Sequence, residues 1–110
     1  MPDLTFKISS QFSRTPGPRN RDEGDFSGQQ FLEEHLRPLF KEVVESGSVL
    51  QIDLDGTAGY ATSFLEESFG GLTRESGEEL VRKHLTFRTE DEPYLIEEID
   101  RYIREAKDPK

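Results

Sequence analysis

Apolar and polar positions alternate with period two at Leu4-Thr5-Phe6-Lys7-Ile8, which predicts a strand with one buried face running on toward Phe12. A denser apolar run, Val49 to Leu54, has turn residues on both sides and reads as an interior strand. Leu85-Thr86-Phe87-Arg88 alternates as a third. Between these strands the apolar spacing lengthens to that of helices. Leu32, Leu36, Leu39, Phe40, Val43 and Val44 make one face over roughly five turns, opened by Ser27-Gly28-Gln29-Gln30 as a capping box and by Phe26 with Phe31 as a hydrophobic staple. Pro38 falls inside this pattern and predicts a kink or a split; Ser46-Gly47-Ser48 ends it.

Beyond a short bend at residues 56–61, Ser63-Phe64-Leu65-Glu66 fits a second capping box, with Leu65, Phe69 and Leu72 at i, i+4 and i+7. That spacing carries the helix through Gly70-Gly71, where small residues allow a close approach to the sheet or a partner. Ser76-Gly77-Glu78-Glu79 fits a third box, ahead of Leu80, Val81 and Leu85. Pro93 opens a final helix whose apolar face is Leu95, Ile96, Ile99, Tyr102 and Ile103. Residues 13–26 are proline-, glycine- and charge-rich and read as a mobile loop, and 107–110 as a frayed tail. The order strand, helix, strand, helix, helix, strand, helix predicts an α/β layer structure with a sheet at least partly parallel.

Composition narrows the function. In 110 residues there is room for one modest core, not for a catalytic domain plus a cap. A formal net charge of −9 and a mean hydropathy of −0.75 argue against phosphate-backbone binding, so no nucleic-acid partner is expected. Zero cysteines exclude a disulfide scaffold and thiolate chemistry and fit a cytoplasmic location. No apolar run approaches about 18 residues, so no membrane span is expected.

The acidic turn Asp53-Leu54-Asp55-Gly56-Thr57 follows the second strand. Two carboxylates one residue apart at a strand end can face one ligand, and the motif is similar to the signature strand of haloacid dehalogenase-type phosphatases. That resemblance implies a small Mg²⁺-dependent phosphohydrolase with Asp53 as nucleophile and Asp55 as acid/base. Only about fifty residues follow it, too few to supply the remaining parts of such a site. The simpler reading makes both aspartates turn formers that accept main-chain hydrogen bonds.

The whole stretch from that strand through the bend, Thr62-Ser63-Phe64-Leu65 and Phe69-Gly70-Gly71-Leu72, together with Phe26-Ser27-Gly28-Gln29-Gln30-Phe31 and Pro16-Gly17-Pro18-Arg19, resembles the STAS-like family. These are bacterial domains of largely unknown function, similar to sulfate transporter and anti-sigma factor antagonist domains. The resemblance implies a single domain over residues 1–110, with a small mixed sheet of three to four strands packed against helices. It implies a non-enzymatic regulatory module without catalytic residues, metal or cofactor. Its protein partner would be a histidine-kinase-like ATPase that switches it by phosphorylation. Alignment puts Thr62 at the phosphoacceptor position with Ser63 after it, and Ala61 where an aspartate usually stands. Partner contacts would come from Asp55, Tyr60, Phe64, Glu66, Glu67, Gly70 and Gly71. A cap is the simpler role for Ser63.

Arg14, Arg19 and Arg21 concentrate positive charge in the 13–26 loop and make it a candidate anion-binding loop. His35 and His84 have no companions at metal spacing and read as structural histidines.

Overall fold

The computed structural model describes residues 3–106, so the expected frayed tail at 107–110 lies outside the described residues. Strands β1 (Leu4–Lys7), β2 (Leu50–Asp53) and β3 (Leu85–Arg88) form one sheet in the order β1-β2-β3, with both pairings parallel. Among the described residues the sheet is parallel throughout, where the resemblance implies a mixed one. Each strand reaches the next through a helical crossover rather than a hairpin. β1 does not continue to Phe12. At Ile8 the chain enters a single helical turn, α1 (Ile8–Gln11), and the Gln11 Oε1 accepts the Lys7 N–H at 2.8 Å.

Helix α2 spans 28–46 as three consecutive segments: Gly28–Phe31, a π-turn over Leu32–Leu36, and Arg37–Ser46. Pro38 is the second residue of the last segment. Proline lacks a donor and its ring crowds the carbonyl four residues back, and the wider π-turn immediately upstream relieves both. The helix is thus neither broken nor split. Gly47, at φ 71°, closes it in the left-handed conformation, with Ser48 N–H donating to the Val43 carbonyl at 2.8 Å.

Helix α3 spans 62–76 in the same manner: Thr62–Leu65, a π-turn over Glu66–Gly70, and Gly71–Ser76. Gly77, at φ 92°, separates it from α4 (Glu78–His84). Gly77 is itself the N-cap and no side chain caps α4, so the expected Ser76 box does not form. Helix α5 (Tyr94–Glu105) follows β3, and buries Leu95, Ile99 and Ile103 at i, i+4 and i+8. Ile96, expected on the same face, is 37% exposed.

Right-handed crossovers advancing in one direction place α2 and α3 on the same face of the sheet. Burial agrees: Phe6, Leu50, Ile52 and Leu85 point into the core, while Thr5, Thr86 and Arg88 are exposed. The other face therefore carries two in-register polar rows, Thr5–Gln51–Thr86 and Lys7–Asp53–Arg88. This explains why the strands alternate instead of reading as the continuous apolar runs of a parallel sheet covered on both sides.

Phe31, Phe64 and Phe69 are fully buried at the centre, with Phe31 stacked on Phe64 at 5.8 Å and edge-on to Phe69 at 6.1 Å. Two glycines let α2 and α3 approach. A Cβ on Gly28 would lie 2.8 Å from the Phe64 carbonyl oxygen, and one on Gly71 would lie 3.0 Å from Leu32 Cδ2. No helix among the described residues is long and apolar enough to cross a membrane.

Candidate functional site

The C-terminal edge of the sheet gathers the end of β2, the bend to α3 and the first turns of α2 and α3. Loops at the carboxyl ends of strands are where open α/β sheets present their functional groups. Asp53 is buried; its Oδ1 accepts the Asp55 N–H at 3.0 Å and its Oδ2 pairs with Arg88 Nη1 at 3.2 Å. Asp55 receives the Thr89 hydroxyl at 2.6 Å and the amides of Glu90 at 2.8 Å and Asp91 at 3.3 Å. The Thr89 hydrogen bond, then the two amides, hold the Asp55 carboxyl below its ordinary range. Asp53 thus ties β2 to the end of β3 and Asp55 to the turn after it, as turn formers do. Their oxygens are engaged within the chain, and among the described residues no three His, Cys, Asp or Glu side chains stand where they could hold a metal ion.

Tyr60, in the bend, donates its hydroxyl to the Leu54 carbonyl at 2.7 Å and lies 6.0 Å from Phe64. Burial pushes its pKa up to about 12. The bend is held below by Ala58 N–H donating to the Arg14 carbonyl at 2.8 Å.

Ala61 is the N-cap of α3, and no side chain caps this end. The expected Ser63 cap does not form, because the extended backbone ends at Ala61 and Ser63 already lies in the first turn. Thr62 is exposed and Ser63 half-buried. The Phe64 N–H donates to the Ala61 carbonyl at 3.1 Å, and no side-chain oxygen caps the Thr62 and Ser63 N–H groups, an arrangement that favours an anionic group there.

Beyond this first turn α3 is interior. Phe64, Ser68, Phe69, Gly70, Gly71, Leu72 and Thr73 are all buried. Three expected partner contacts are thereby corrected: Phe64, Gly70 and Gly71 face the core, not the outside. Gly71 admits Leu32 of α2. Gly70 makes room for the Glu66 carboxylate, whose Oε2 would lie 2.6 Å from a Cβ there. Folded back over Gly70, Glu66 meets Arg74 Nη1 at 2.7 Å. Ser68 and Thr73 donate their hydroxyls to the Phe64 and Phe69 carbonyls, both at 2.8 Å, bracketing the π-turn.

The arginine loop is not an open anion site. Arg19 Nη1 meets Glu66 Oε1 at 2.5 Å and Glu67 Oε1 at 3.3 Å. Arg21 meets Glu33 at 3.0 Å and Glu34 at 3.2 Å on α2. Burial alone would raise the Glu66 pKa, but hydrogen bonds from Arg74 and Arg19 outweigh it and the net shift is downward. Arg14 stays exposed, joined to the bend through its carbonyl. Ser27 caps α2 as expected, its Oγ accepting the Gln30 N–H at 3.0 Å. Gln30 reaches back to the Phe26 N–H at 3.1 Å, and Phe26 packs edge-on to Phe12 at 5.5 Å rather than stapling Phe31. His84 is buried, its Nδ1 2.7 Å from the Ser48 carbonyl, and His35 lies against Phe6 and Phe12.

Sequence reasoning missed Arg74, Arg88 and Thr89. Only Arg74 carried a local signal, standing two helical turns beyond Glu66 with Gly70 and Gly71 between. The sequence model of a STAS-like domain of unknown function matches residues 27–95, more than half of the 110-residue chain, from the α2 cap into α5. Neither the curated proteins nor the solved structures yielded a match.

Proposed function

The chain belongs to the family of STAS-like domains of unknown function, and from that premise we propose that it is a bacterial regulatory module. It works by protein–protein contact, in the manner of anti-sigma factor antagonists, and its partner is a histidine-kinase-like ATPase. The family's description names no enzymatic activity. The observation that carries the reading is the start of α3: Phe64, Leu65 and residues 68–73 are buried, while Thr62 in the first turn is exposed and no side chain caps that end.

The contact surface consists of Asp55, Tyr60, Thr62, Ser63, Glu66 and Glu67. A phosphate on Thr62 or Ser63 would add a charge of about −1.5 to −2 next to open N–H groups and one turn from two glutamates. It would therefore change the surface without refolding the domain. Incubation with candidate ATPases and ATP, followed by intact-mass measurement, tests this. A gain of roughly 80 Da, one phosphate, that disappears in a Thr62→Ala/Ser63→Ala chain is the expected result. No gain with any such ATPase, or a gain that survives both substitutions, rejects the switch at these residues.

A further inference from the structure

We infer that residues 14–26 form a movable strap, closed over the N-terminal ends of α2 and α3 by ion pairs and hydrogen bonds, with the exposed Phe26 edge-on to Phe12 as its aromatic contact. None of these residues is buried. The strap is closed on itself: Gly17 N–H donates to the Phe26 carbonyl at 2.8 Å, and a Cβ on Gly17 would fall 2.2 Å from the Asp25 oxygen, so its two ends stay together. Inside, the Asn20 N–H donates to Glu23 Oε1 at 2.9 Å around a short 3₁₀ turn at Arg21–Glu23. Compact surface loops with adjoining ends are frequently functional elements.

Its attachments are ion pairs and hydrogen bonds, the latter including Arg21 N–H to Gln29 Oε1 at 3.0 Å and Phe26 N–H to Gln30 Oε1 at 3.1 Å. Arg19 binds Glu66 and Glu67 of α3, and Arg21 binds Glu33 and Glu34 of α2. The Pro18 and Arg19 carbonyls accept the Gly28 and Gln29 N–H groups, at 2.8 and 2.9 Å, and the Arg14 carbonyl accepts the Ala58 N–H. A helix leaves its first-turn donors without internal partners. In α2 the strap satisfies two of them while Ser27 satisfies the next, so lifting the strap exposes Gly28 and Gln29 and nothing deeper. Arg19 spans Glu66 and Glu67, which lie one turn beyond Thr62 and Ser63, so the closed strap sits beside the contact surface proposed above. The gating part of the inference rests on that reading: a partner reaches the surface fully only when the strap lifts.

Amide exchange measured by NMR on the full chain tests the strap itself, without a partner. Arg19→Ala should speed exchange at Gly28, Gln29 and Ala58 by about two- to fivefold, the range of an exposed ion pair, and Arg19→Ala/Arg21→Ala by more. Arg19→Lys, which keeps the charge, should have a smaller effect. The Phe31 amide, whose acceptor is the carbonyl of the cap residue Ser27, outside the strap, should not change. Unchanged exchange in the double variant overturns the strap, as does equal acceleration at Phe31, which would mean fraying of α2. Loss of the mass gain in the ATPase experiment alongside accelerated exchange would instead remove the docking reading and keep the strap.

Discussion

The packed contact between α2 and α3 and the strap that bridges their N-terminal ends are built from opposite materials. Along their lengths the helices touch through Gly28 and Gly71, with Phe31 and Phe64 stacked between them, and an Arg37–Glu75 ion pair crosses at the surface. At their N-terminal ends they are bridged by the strap, through Arg19 and Arg21 on four glutamates. Close packing loses free energy steeply with any change of volume. Exposed ion pairs hold weakly and are screened by salt. One contact therefore fixes the fold, and the other leaves the working end of α3 adjustable.

The largest effect should come from breaking the packed contact. Phe64→Ala removes a fully buried ring and should cost about 3–5 kcal/mol in denaturant unfolding. Gly28→Ala comes next. Its Cβ would press on a main-chain oxygen, which cannot rotate away, and about 1–3 kcal/mol is expected. Gly71→Ala meets only the end of the Leu32 side chain, so it should cost less than Gly28→Ala in the same assay.

Asp55→Asn loosens the turn beneath the bend and should cost about 1–2 kcal/mol. The Asp55 carboxyl is held below its ordinary range by Thr89 and the adjoining amides. Its contribution is thus present above the pKa of the unfolded chain and is lost as pH falls through the lower folded value. Stability of the native chain should drop across that acidic window, and the drop should be shallower in Asp55→Asn. Smallest of all, Arg21→Ala should leave the denaturant midpoint essentially unchanged, as an exposed ion pair does, though it loosens the strap.

The strands were legible because one face of the sheet is open: Leu4, Phe6, Leu50, Ile52, Leu85 and Phe87 alternate with residues that meet water. Ser27 was legible as a cap because its hydrogen bonds close within four residues. Gly70-Gly71 signalled close approach, and both are crowded, one by Glu66 and one by Leu32. The π-turns were hidden, since they answer to tertiary demands: a proline to be absorbed in α2, and in α3 the room Glu66 needs to reach Arg74. Ser63 misled because a capping pattern is local, whereas the start of α3 is fixed by burying both Phe64 and Leu65. The Arg19 pairings join residues 47 and 48 positions apart, a relation that no local periodicity encodes.

The contrast between a packed contact and a charged one is tested most directly by amide exchange in the unmodified chain as salt is raised from roughly 0.01 M to 1 M, which shortens the screening length from about 30 Å to about 3 Å. Exchange at Gly28, Gln29 and Ala58, whose acceptors lie in the strap, should accelerate severalfold, while Phe31 and Val81, whose acceptors are the carbonyls of the cap residues Ser27 and Gly77, should hold steady. Acceleration of both groups together, or of neither, would contradict the account.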